Sequence, residues 1–169
     1  MAAVENFERF AWSDDGISLR STPGTGNHFV ANSDEHDVYG YSHEGSENRI
    51  LQMNKRMRKL ETCKAEDMEQ IPMLHGPMEA PVTFVSWGSN KGAILQAMMD
   101  FRDELGYIPF NYIHITWMNP FPAEGLRQRL LAANHLINIE CNFTAQMAGL
   151  IKQHTGIDIL DSILKYDGR

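Results

Sequence analysis

The run Val-Thr-Phe-Val-Ser-Trp-Gly-Ser-Asn-Lys at residues 82–91, continuing as Gly-Ala-Ile-Leu-Gln-Ala-Met-Met, constrains the fold more than any other stretch. Its β-branched and aromatic residues favour an extended strand, and that pattern breaks at Gly88. Ile94, Leu95, Met98, Phe101 and Leu105 then fall on one helical stripe over residues 91–105, with Ser89 or Asn90 placed to cap it. Strand, short polar turn and amphipathic helix make the first unit of an α/β sheet. In such sheets the small and polar residues after each strand gather at one edge, where ligands or partners are met.

The pattern continues downstream. Residues 112–116 read as a strand, and Pro122 suits the first turn of a helix reaching about residue 133. Residues 136–140 read as a strand, residues 143–154 as a helix ended by Gly156, and residues 163–165 as a last short strand. Alternating strands and helices with short connections predict a parallel sheet with right-handed crossovers and helices on both faces. Phe84, Trp87, Ile94, Met98, Ile113, Ile115, Leu136 and Ile139 are the expected core.

Upstream the character changes. Residues 1–45 are rich in Gly, Ser, Asp, Asn and His, with turn-forming segments such as Ser13-Asp-Asp-Gly16 and Thr22-Pro-Gly-Thr-Gly-Asn27. A stretch this long without apolar periodicity reads as an extended arm that packs on something else, such as another subunit. Residues 46–66 read as a helix in which Ile50, Met53, Met57 and Leu60 recur at three- and four-residue steps. The basic run Lys55-Arg-Met-Arg-Lys59 is suited to phosphates, but a solvated face or intersubunit ion pairs are the simpler reading. Residues 69–81, with Pro72, Pro77, Pro81 and Gly76, read as a linker. The expected organisation is therefore an arm and helix over residues 1–72 and an α/β domain over residues 73–169.

A formal charge of −7 argues against nucleic acid or an anionic membrane as partner, because both attract basic surfaces. No apolar run approaches the length of a membrane span, and no signal-peptide pattern opens the chain. Cys63 and Cys141 lack the spacing and number for an iron–sulfur cluster or a structural zinc site, and read as reduced cytoplasmic thiols. The seven histidines show no metal-binding spacing. Dinucleotide and Walker signatures are absent, and nothing supports a Ser-His-Asp triad.

Three loops meet the carboxyl edge of the expected sheet, and they hold the candidate ligand or subunit-interface residues. The first supplies Gly88, Ser89 and Asn90, the second Asn119 and Pro120, and the third Glu140, Asn142 and Gln146. Each loop has short polar groups and helix-start amides suited to an anion. Glu140 fits either a general base or, more simply, a carboxylate that hydrogen-bonds its neighbouring loop. The residues taken alone yield no catalytic constellation.

Several strings nonetheless resemble a known family in order and spacing. Asp15-Gly-Ile-Ser18, Ser33-Asp-Glu-His-Asp37, Glu47-Asn-Arg-Ile50, Lys55-Arg-Met-Arg-Lys-Leu-Glu61, Val85-Ser-Trp-Gly-Ser89, Pro120-Phe-Pro122, Glu140-x-Asn142, Gln146 and Lys165-Tyr-Asp-Gly-Arg169 resemble the latter part of 2-oxoacid:ferredoxin oxidoreductase alpha subunits. The resemblance implies a three-layer α/β/α sandwich with a mostly parallel five-stranded sheet, like the transketolase C-terminal domain, with one antiparallel edge strand that the sequence does not locate. It also implies a whole enzyme that decarboxylates 2-oxoglutarate or pyruvate on thiamine diphosphate and magnesium. Such an enzyme passes electrons through an iron–sulfur cluster to ferredoxin and the acyl group to coenzyme A (CoA). The family's Tyr-Pro-Ile-Thr-Pro string is absent here, and its cofactor contacts lie largely in the beta subunit. The implied role is thus structural, with the rest of the alpha subunit, the beta subunit and ferredoxin as partners and no cofactor held by this chain. The alternative is a stand-alone α/β module that binds a small anion such as CoA. Leu19 and Ala145 depart from the family pattern, which often has Pro and Gly there.

Overall fold

The computed structural model describes residues 6–168; residues 1–5 of the expected arm and Arg169 of the C-terminal string lie outside the described residues. The chain divides into two compact units, with the boundary between Asp67 and Met68.

In the first unit a single long helix, α1 (Ser46–Glu66), organises the turn-rich segment. The face it buries is polar: Gln52 and Lys55 are its buried residues. Lys55 Nζ donates to Phe10 O at 2.6 Å and to Ser18 Oγ at 2.8 Å. Arg56 forms a two-pronged pair with Glu35, Nη2 to Oε1 at 2.6 Å and Nη1 to Oε2 at 3.2 Å. Arg58 Nε donates to the Asp14 carbonyl. Lys55, Arg56 and Arg58 of the basic run thus fasten the arm to the helix, while Arg58 and Lys59 remain exposed. Residues 6–45 are not an unstructured stretch. Asp37 Oδ1 accepts the amides of Tyr39, Gly40 and Tyr41 to close one turn. Phe10 and Phe29 meet edge to face, as do Phe7 and Phe29. Gly16 is buried against the helix, where an added Cβ would sit 2.4 Å from Lys59 N. The stripe read from the sequence lies outward, with Ile50 59% and Met57 50% exposed.

The second unit holds the sheet. Its elements run β1 (Met73–His75), β2 (Val82–Trp87), α2 (Asn90–Leu105), β3 (Phe110–Ile115), α3 (Ala123–Leu131), β4 (Leu136–Glu140), α4 (Gln146–Thr155) and β5 (Asp161–Leu164). The strand order is β1-β3-β2-β4-β5, with β1 antiparallel to β3 and every other pairing parallel. The unplaced antiparallel edge strand is thus β1, inside the segment read as a linker, and its Met73 pairs with His114.

Alternation along the strands sends side chains to two faces. Val85, Ile113 and Ile115 face Leu126 and Leu130 of α3 and Met147 and Ile151 of α4. Phe110 and Tyr112, with Phe84 and Val82, face Ile94 and Met98 of α2. Three layers result: α2, the sheet, and α3 with α4. Of the expected core, Ile94, Met98, Ile113 and Ile115 are buried. Phe84, Trp87, Leu136 and Ile139 are only partly so and pack at the cluster margins. β3 is buried at every residue because it lies between β1 and β2 with helices on both faces. Among the described residues, no helix is long and apolar enough to cross a membrane.

Candidate functional site

The connections decide where the strand ends open a crevice. α2 carries the chain from β2 to β3 across one face, and α4 carries it from β4 to β5 across the other. β2 and β4 are neighbours, so adjacent strands send their helices in opposite directions and the loops between them part. A cleft of about 260 Å³ lies there, lined by Trp87, Gly88, Ser89, Asn90, Cys141, Asn142 and Gln146. The first and third predicted loops therefore converge. The second does not join them: Asn119 is exposed, Pro120 is buried after a cis peptide bond, and neither lines the cleft.

Glu140 sits at the end of β4 with no exposed surface. Its carboxylate accepts Trp87 Nε1 at 3.2 Å, Asn138 Nδ2 at 2.7 Å and Asn142 Nδ2 at 2.6 Å. It also accepts the amides of Met147 at 3.0 Å and Ala148 at 3.1 Å, in the first turn of α4. Burial alone would raise its pKa. The Met147 amide, the Asn142 and Asn138 side chains and the Ala148 amide outweigh it and hold the carboxyl below its ordinary value. A carboxylate engaged by this many donors is a poor proton acceptor. Asn142 completes the arrangement, because its Oδ1 accepts the amides of Thr144 and Gln146 at 3.2 Å each. The amino end of α4 is thus occupied by the protein's own acceptors, and an external anion finds Met147 and Ala148 already engaged.

Ala145 makes this possible through an unusual backbone, φ 51° and ψ 52°, in the left-handed region. The alanine thus adopts a conformation that glycine takes without strain.

The first loop is bound to the third. Asn90 does not cap α2 through its side chain; Nδ2 donates to Ser86 Oγ at 3.1 Å and Ile139 O at 3.2 Å, and Oδ1 accepts Cys141 Sγ at 3.0 Å. Gly88 and Ser89 are exposed, and Gly88 takes φ 63°. Asn90, Asn142 and Glu140 are thus tied to neighbours in the fold, whereas Gln146 lies exposed at the cleft and is bonded there through its backbone amide.

One polar group was not singled out from the sequence. His75 on β1 stacks on Tyr112 of β3 with ring centroids 5.5 Å apart, and His114 lies 6.5 Å from His75. Both His Nε2 atoms and the Tyr112 hydroxyl are buried without a hydrogen-bond partner. Burial, aided by Lys91, lowers both imidazole pKa values. The missed signal is positional: His75 belongs to the strand read as linker. Among the described residues no group of three or more His, Cys, Asp or Glu side chains is arranged to hold a metal ion.

Fold and site together define a three-layer α/β/α domain whose carboxyl-edge cleft has walls braced by internal hydrogen bonds. No protein-family model matches the chain. Its curated relatives are specific. The 2-oxoacid:ferredoxin oxidoreductase subunit alpha of Saccharolobus solfataricus is 38% identical over 164 residues, covering 96% of this chain and 25% of the relative. The oxidoreductase 2 subunit alpha of Aeropyrum pernix is 35% identical, covering 97% and 25%. Among solved structures, the 2-oxoglutarate:ferredoxin oxidoreductase from Magnetococcus marinus, with 2-oxoglutarate, coenzyme A and succinyl-CoA bound, aligns at a TM-score of 0.68. That alignment covers 95% of this chain and 27% of the other at 23% identity, which shows a shared fold. The chain is homologous to a segment of the 2-oxoacid:ferredoxin oxidoreductase alpha subunits, and it spans about a quarter of the length of the curated relatives it matches.

Proposed function

We propose that this chain is the C-terminal part of the alpha subunit of a cytoplasmic 2-oxoacid:ferredoxin oxidoreductase, where it supports assembly and performs no chemistry alone. The observation that carries this reading is a match to those alpha subunits over nearly the whole chain. Glu140 supports the non-catalytic half of it: this fully buried carboxylate at the strand edge is consumed in fixing β2, β4 and α4 together. In this reading the whole enzyme oxidatively decarboxylates 2-oxoglutarate or pyruvate with thiamine diphosphate, magnesium, an iron–sulfur cluster and CoA, and the arm and the α/β unit meet the remaining alpha segment and the beta subunit.

Calorimetry on the purified chain tests the assignment. Titration with CoA, and separately with thiamine diphosphate and magnesium, is expected to give no binding heat. Saturable CoA binding that Asn90→Ala or Gln146→Ala weakens would replace the scaffold reading with that of an anion-binding module.

A further inference from the structure

β5 ends the sheet, and among the described residues no strand pairs with its outer edge. The strand and its flanks are apolar where solvent would be expected: Leu160 is 87%, Ile163 52% and Tyr166 62% exposed. Phe143, also exposed, meets the Tyr166 ring edge to face at 4.9 Å and extends the patch. Natural edge strands usually carry charges, bulges or prolines that block further pairing. This one carries Asp161, with Lys165 immediately after its end, and the placement of the two charges favours one particular partner.

We infer that the outer edge of β5 pairs antiparallel with β5 of a second copy of this chain, joining two sheets across a two-fold axis at Ile163. The backbone sets the register. Lys165 N donates to Glu140 O on the inner side, so alternation turns the backbone groups of Ile163 and Asp161 inward and those of Ser162 and Leu164 outward. A two-fold centred on Ile163 then places Ser162 opposite Leu164 as a hydrogen-bonded pair, and Ile163 opposite its own copy as a non-hydrogen-bonded pair. The side chains agree with that register throughout. Asp161 comes opposite Lys165, so each copy supplies one charge to each of two opposite-sign pairs. Leu160 comes opposite Tyr166, joining two exposed apolar groups. Asp161 and Lys165 now make exposed contacts, to His135 and Asp167, that cost little to exchange. An isologous contact needs one patch complementary to itself, and this strand has that property in charge, hydrophobicity and backbone direction.

Sedimentation of the whole chain tests the inference. A concentration-dependent species of twice the 19.2 kDa chain mass is expected. Ile163→Lys should abolish it. Asp161→Lys alone and Lys165→Asp alone should each raise the dimer dissociation constant about tenfold or more, and the double exchange should restore it. Ile163→Cys, with Cys63→Ser and Cys141→Ser, should form an intermolecular disulfide under mild oxidation. A chain that stays monomeric at all concentrations overturns the inference, as does a dimer indifferent to Ile163→Lys or a charge exchange that fails to rescue. Pairing of β5 only with a different subunit also overturns it.

Discussion

At the residue scale, Glu140 carries a charge into the interior because five neighbouring donors replace its water. Glu140→Gln keeps the shape but turns an amide against those donors, and is expected to cost about 3 kcal/mol in urea unfolding. The pH dependence has a defined sign. A carboxyl whose folded pKa lies below its ordinary value adds stability that is present above the ordinary value and lost as pH falls through the folded one. The native chain should therefore lose stability on that acid limb, and Glu140→Gln should flatten it. An unchanged unfolding midpoint would show that the donor cluster does not hold α4. Two residues before that helix's first buried amide, Ala145 sits at φ 51°. Ala145→Gly should raise stability by about 1 kcal/mol, the relief of the left-handed backbone exceeding the entropy glycine adds to the unfolded chain. A loss on substitution would mean that the alanine methyl packs usefully.

At the scale of elements, the legible parts of the fold were those whose pattern is local. β2 and β4 are rich in β-branched and aromatic or aliphatic residues, and α2 has an apolar stripe and a closing glycine, Gly106, at φ 79°. β1 was not legible, since its three residues sit among prolines and become a strand only by pairing with β3. The helix α1 misled in a different way. Its apolar stripe suggested the buried side, whereas long-range polar contacts from Phe10, Ser18 and Glu35 select the opposite face. No periodicity encodes those contacts. They also yield a prediction: Lys55→Ala should free the arm and leave the sheet intact. In hydrogen exchange, amides near Phe10 and Ser18 should lose protection at least tenfold while those of β2 do not change. Equal loss in both places would contradict the separate role given to Lys55.

At the scale of the molecule, two of three predicted loops reached one cleft because β2 and β4 are adjacent and send their helices to opposite faces. Asn119 and Pro120 follow β3, on the far side of β2, and strand order is not written in the local sequence. The internal hydrogen bonding of the cleft and the match to alpha subunits are the two observations on which the proposed assembly role rests. One reconstitution tests that most directly: 2-oxoacid- and CoA-dependent reduction of a viologen dye, measured with this chain alone, with the remaining alpha segment and beta subunit alone, and with all components. The account predicts no reduction by this chain, little by the partners without it, and restored activity when they are combined. Reduction by this chain alone, or full activity in its absence, would contradict it.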